Sequence, residues 1–164
     1  MFHTKTTLGR LVPAAGVAVV CLAAASVADA MTISPGAPSL TGRVAITVPV
    51  TVTCSAFDPS LTLTFENINV QVEQAAGKSI AHGSYVTMNG LPTLLFPCDG
   101  SQTTVPVTIN ADPAGPPFHR GPAVFTSIAS AVAYTPCFPG STTCFTNPSA
   151  SQTASTGPVE INIH

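Results

Sequence analysis

The side chains able to do chemistry are few, and their spacing decides what they can do. Past the N-terminal leader the histidines are His82, His119 and His164. None is spaced H-x-H or H-x-x-x-H, so a zinc or copper site would have to be assembled from three distant positions. They read instead as solvated loop and terminal residues. Serines are abundant, yet none lies in G-x-S-x-G. The carboxylates Asp58, Glu66, Glu73, Asp99, Asp112 and Glu160 are scattered, whereas a calcium loop needs several oxygen ligands close in sequence. Asp99, between Cys98 and Gly100, suits a turn in which its carboxylate accepts amide hydrogens. The expectation is a protein without catalytic residues, cofactor or metal.

A stronger pattern lies in Pro-rich residues 111–121, where Phe118, His119 and Arg120 put an aromatic, an imidazole and a guanidinium side by side. Proline stiffens that backbone, so little entropy is lost on binding. Phe118, His119 and Arg120 are the candidate recognition residues; the competing reading has Phe118 cover the edge of the core. Phe57, Phe138 and Phe145 also lie beside turns, as a recognition patch or as plugs for the open ends of a sandwich.

Cysteines supply the framework. Residues 1–30 carry Lys5 and Arg10, an apolar run from Leu11 to Val27 and then Ala28-Asp29-Ala30, the pattern of a secretory signal peptide cleaved between Ala30 and Met31. Pro13 and Gly16 interrupt the run, which is short for a membrane span. Cys21 leaves with the leader, and Cys54, Cys98, Cys137 and Cys144 remain. An even number in an exported chain favours two disulfides, with three possible pairings. Cys137 and Cys144 flank a Phe-Pro-Gly-Ser-Thr-Thr turn, which favours Cys137–Cys144 and hence Cys54–Cys98. The long loop is worth about 4 kcal/mol and the short one about 2.5 kcal/mol in the chain-entropy model.

The elements that must position these residues are strands. Val44, Ile46, Val48, Val50, Val52 and Cys54 occupy every second position and predict a long strand with one apolar face. Pro49, on the other face, lacks an amide hydrogen and calls for an edge or a bulge there. Leu61, Leu63 and Phe65 alternate, then Ile68, Val70 and Val72 on the opposite parity, so a bulge or a change of sheet is expected at Glu66-Asn67. Ser79–Met88 reads as a weaker strand interrupted by Gly83, followed by a hairpin turn at Asn89-Gly90. Val105, Val107 and Ile109 predict another strand. In 123–134, Val124, Ile128, Val132 and Tyr134 share one parity and small alanines the other, which suggests close sheet approach. Ser/Thr-rich 146–157 reads as a surface loop, and Val159, Ile161 and Ile163 as the last strand. No amphipathic helix is visible. The domain plan is 1–30 signal peptide, 31–42 flexible leader and 43–164 an all-β, Greek-key sandwich of about seven strands.

Val50-Thr51-Val52-Thr53-Cys54, Cys98-Asp99-Gly100 with the alternating strand after it, and Gly121-Pro122-Ala123-Val124 resemble a family of small secreted actinobacterial proteins of unassigned function with an immunoglobulin-like sandwich. The resemblance spans about residues 43–135, and it implies a fold and an exported location without an activity. Val105 departs from it, since an aromatic is expected there.

Charge bounds the partners. After the leader, Arg43, Lys78 and Arg120 are the only Lys and Arg. Three scattered cations cannot neutralise a phosphate backbone, so nucleic acid is excluded. Stable membrane insertion is not expected once the leader is cleaved. The expected function is a secreted, non-catalytic interaction or structural module whose partner is an extracellular protein or envelope component. A carrier of an apolar small molecule, resembling the actinobacterial chromoproteins, is the alternative. N-terminal sequencing of the exported chain should read Met31-Thr32-Ile33; a start at a lipidated cysteine, or a full-length membrane-held product, would refute the leader assignment.

Overall fold

A computed structural model describes residues 31–42, 44–90, 94–136 and 148–164. Signal cleavage at Ala30, the Cys137–Cys144 bridge, Phe138 and Phe145 all lie outside these residues. The described chain is all-β, with eight strands: β1 (Thr32–Pro35), β2 (Ser39–Thr41), β3 (Ala45–Thr53), β4 (Thr62–Ala76), β5 (Ser79–Gly90), β6 (Gln102–Ala111), β7 (Gly121–Tyr134) and β8 (Ala150–Ile163). All pairings are antiparallel along the path β1-β3-β6-β5-β4-β7-β8, with β2 also on β3. β3 lies beside β6 and β4 beside β7, the interlocked order of the expected immunoglobulin-like Greek key. The path folds into two layers, β1/β2-β3-β6 and β5-β4-β7-β8, whose inner rows share one core. Ile46, Val48, Val50 and Ile109 from the first layer cluster with Ile68, Val70, Val72 and Phe125 from the second.

The predicted central strand is β3, with Ile46, Val48, Val50, Val52 and Cys54 sealed from solvent. Val44 is not part of that row: it precedes the strand and is 62% exposed. Pro49 pairs with Pro106. Neither can donate an amide hydrogen, so this is a non-hydrogen-bonded pair whose backbone groups point away from each other. Each proline therefore faces a gap in the ladder. Pro49 lies where the chain passes from β1 to β2, and its carbonyl accepts the Gly36 amide at 2.7 Å. Pro106 lies beyond the short β5–β6 pairing, which is limited to Gly83–Ala111 and Ser84–Asn110.

Several expectations are corrected by tertiary pairing. The 31–42 leader, in which at most a short edge strand around Ile33 is expected, forms that strand as β1 and also β2, both hydrogen-bonded to β3, with Met31 and Ile33 buried. The register slip of β4 falls between Leu63 and Phe65, earlier than Glu66-Asn67, and it puts Glu66 on the inward parity with Ile68. Asn89-Gly90 is no hairpin: both residues continue the β4–β5 ladder opposite Glu66 and Phe65. The turn is at Gly77-Lys78, between the last pair Ala76–Ser79, and Gly77 supplies the positive φ of 65°. The Ser/Thr-rich stretch is strand from Ala150 onward. β-Branched threonines suit a pleated surface, and Thr156 Oγ1 closes the open side of the sandwich by donating to the Ile33 carbonyl at 2.6 Å.

Cys54 and Cys98 form the expected long-range disulfide, with Cα atoms 4.5 Å apart. It sits just beyond the Thr53–Gln102 pair, so it closes the end of the β3–β6 ladder within one layer and does not cross between layers.

Gly83 does not interrupt β5; it is where the two layers meet. A Cβ there would lie 2.6 Å from the Asn110 carbonyl oxygen, 2.7 Å from Ile109 Cγ2 and 2.8 Å from Phe118 Cζ. Backbone cannot move aside cheaply. Gly83→Ala should destabilise the domain by about 1–3 kcal/mol through overpacking, read as a lower denaturant midpoint. An unchanged midpoint would show that the joint is looser than its geometry.

Candidate functional site

The inward row of β4 reads Glu66, Ile68, Val70, Val72, Gln74, apolar in the middle and polar at both ends. Gln74 is 1% exposed, and its amide is used on both sides. Nε2 donates to the carbonyls of His119 (2.8 Å) and Pro122 (3.3 Å), and Oε1 accepts the His119 amide at 2.9 Å. The 112–120 loop is therefore pinned across one end of the sandwich. That geometry sorts the three residues singled out in the sequence. Phe118 is 2% exposed inside the core cluster, as in the competing reading, and offers no surface to a partner. Arg120 and His119 are exposed.

The His119 ring is itself engaged. Nδ1 is 2.8 Å from the Arg120 carbonyl oxygen, and Nε2 is 3.0 Å from that of Ala75. Carbonyl oxygens only accept, so both contacts are hydrogen bonds only when both ring nitrogens carry protons. The Arg120 carbonyl, and after it that of Ala75, accordingly hold the ring's pKa above its ordinary value.

Glu66 performs the matching task at the other end. Its Oε2 accepts the amides of Leu95 and, at 3.1 Å, Phe96, which draws the 94–96 segment over the interior and buries Phe96. Oε1 is buried and has no hydrogen-bond partner among the described residues. Burial raises the carboxyl's pKa, and the two amides act in the opposite direction. Nothing in the sequence marked Glu66, because a one-residue shift of the bulge decides whether it points in or out. The exposed acids follow ordinary turn chemistry: Asp99 Oδ1 accepts the Ser101 amide and Asp58 Oδ1 the Ser60 amide, both at 2.8 Å.

The outer faces differ in character. On the β3–β6 layer, Thr47 and Thr51 pair with Thr108 and Thr104, hydroxyl to hydroxyl at 3.3 and 3.2 Å. The outer face of β5-β4-β7-β8 instead carries exposed apolar side chains interspersed with amides and hydroxyls. The exposed large hydrophobic residues among those described are Val44, Ile80, Val86, Met88, Val124 and Ile128. All but Val44 occupy outward positions of β5 or β7. Register places Val86, Asn69 and Ile128 in one row across three strands, with Met88, Asn67 and Ser130 as the next. β7 turns its alanines inward, with Ala129, Ala131 and Ala133 buried, and this leaves the larger Val124 and Ile128 outside.

Where β5 meets β6 the face runs into a cleft of about 550 Å³ whose polar lining includes Gln71, Glu73, His82, Ser84, Asn110 and Asp112. Glu73 and His82 are cross-strand partners, Oε1 to Nδ1 3.4 Å, both about half exposed. Among the described residues no three His, Cys, Asp or Glu converge to hold a metal ion, and no helix is long and apolar enough to cross a membrane.

Comparison with family models, curated proteins and solved structures finds no match for this chain. Its own geometry carries the functional reading.

The His119 contacts imply a pH dependence of definite sign. A histidine pKa raised by folding stabilises below the unfolded value and loses that contribution as pH rises through the folded pKa. The melting temperature should therefore decline as pH rises from about 6.5, and His119→Ala should remove that part of the decline. An identical pH profile in the variant would mean that the ring does not bridge the two carbonyls in solution.

Proposed function

We propose that the chain is a secreted, non-catalytic interaction module that engages an extracellular protein or envelope component through the outer face of β5-β4-β7-β8. The observation that carries this reading is the gathering of exposed Ile80, Val86, Met88, Val124 and Ile128 on that one face. Clustered exposed apolar side chains rimmed by polar groups mark interaction sites, whereas single ones need no explanation. The face also resembles an interface in its charge distribution: an uncharged centre in which Val86, Met88 and Ile128 stand among amides and hydroxyls, with Glu73, His82 and Glu160 towards one end. Export is supported by the leader pattern, by the Cys54–Cys98 disulfide, which persists in oxidising compartments, and by the resemblance to secreted actinobacterial sandwich proteins.

The carrier alternative has less behind it. An apolar ligand wants an apolar cavity, whereas the cleft beside Gly83 sets two carboxylates, two amides, an imidazole and a hydroxyl among Val72, Ala111 and Pro113. Of the three residues singled out in the 112–120 loop, His119 and Arg120 are exposed and Phe118 is sealed in the core.

The test is capture of envelope and culture components on the immobilised domain, with wild type compared against Val86→Lys/Ile128→Lys. Both positions are exposed, so the double variant should keep its stability within about 1 kcal/mol and lose the captured partner. Capture that survives the double substitution refutes the assignment of this face.

A further inference from the structure

We infer that the partner of this face is a second copy of the chain, paired face to face about the row Val86–Asn69–Ile128. This rests on the interaction reading above and gives it an occupant. Around that row the outward positions of β4, β5 and β7 are Asn67, Asn69, Gln71, Ser84, Val86, Met88, Thr126, Ile128 and Ser130, none of them charged. An uncharged centre meets no like-charge penalty against a second copy of itself. The charges of the face, Glu73 and Glu160 with His82, lie together at one end, flanking Val124 or opposite one another.

An isologous pairing sets each residue against the image of another, and residues on the axis against themselves. With the axis along the Val86–Asn69–Ile128 row, Val86 and Ile128 meet their own copies, and the two Asn69 amides can exchange hydrogen bonds. Met88 and Asn67 then lie over Ser84 and Gln71. Glu73 is four residues along β4 from Asn69, roughly 13 Å. The two copies of Glu73 are then about 26 Å apart, beyond the Debye length of about 8 Å at physiological salt. Self-pairing thus avoids like-charge contact, and the one-ended placement of the carboxylates makes this possible.

Area sets the strength. Four strands spaced about 4.8 Å apart, over the span from Phe65 to Glu73, give roughly 500 Å² per copy, or about 1,000 Å² in total, the low end for specific interfaces. The dimer should be weak and reversible.

Sedimentation of the exported chain over micromolar to millimolar concentration should show a monomer–dimer equilibrium. Ile128→Lys should weaken it at least about tenfold, since it places two cations together on the axis, and Ile128→Glu should do the same. Mixing the Lys and Glu variants should restore pairing, because position 128 faces itself; a misfolded variant could not be rescued in this way. Val44→Lys, outside the face, should leave the equilibrium unchanged. A wild-type chain that stays monomeric throughout, or a dimer indifferent to Ile128→Lys, overturns the second-copy proposal. Persistent monomers that still lose a captured partner through Val86→Lys/Ile128→Lys would leave the interaction reading standing, so the two failures are distinguishable.

Discussion

The inward row of β4 is the constraint on which the rest of this sandwich depends. Ile68, Val70 and Val72 bury completely against the first layer, and at either end of them a polar side chain grips the backbone of a loop that crosses the open mouth. Glu66 takes the amides of Leu95 and Phe96, and Gln74 takes both backbone groups of His119 and the carbonyl of Pro122. A sandwich leaves backbone amides and carbonyls at its ends that must be satisfied if apolar residues are to cover the core there. Two side chains on one strand do this, and Phe96 and Phe118 are thereby delivered into the interior as plugs.

The two ends are held with different reserve. Gln74 uses its amide fully and carries no charge. Glu66 has an oxygen without a partner among the described residues, and burial disfavours its ionised form. Removing a carboxylate from water is costly unless its hydrogen bonds are replaced. The 94–96 segment supplies two of them, and the disulfide at Cys98 anchors the same segment next to the end of β3. Covalent and hydrogen-bonded restraints converge there.

Core packing and the interaction face are two consequences of one choice in β7. Its inward positions carry Ala123, Ala129, Ala131 and Ala133 with Phe125 and Ser127, while Val124 and Ile128 remain outside. Val124 and Ile128 gain nothing from the core. Together with Val86 and Met88 of β5, they put apolar side chains among the amides and hydroxyls outside the four-stranded layer, while threonine pairs line the outside of β3 and β6.

Period two, proline and cysteine were enough to determine much of this protein from its sequence. The unbroken alternation from Ile46 to Cys54 reads as a half-buried strand, the absence of any 3.6-residue period leaves an all-β fold, and Pro49 calls for an edge or a bulge, which it meets as a local edge where β1 gives way to β2. Phe118 as cover for the core edge was one of two readings open. Local signals failed wherever a distant partner outweighed them. Asn89-Gly90 has strong turn chemistry, yet the ladder with β4 carries it through as strand; a short apolar start and a threonine-rich stretch became strands because β3 and β7 offered edges to pair with. The outer face was illegible for a related reason. Val124 and Ile128 alternate as core residues do, and which parity points inward is decided by register against β4, a relation between strands fifty or more residues apart that no local pattern encodes.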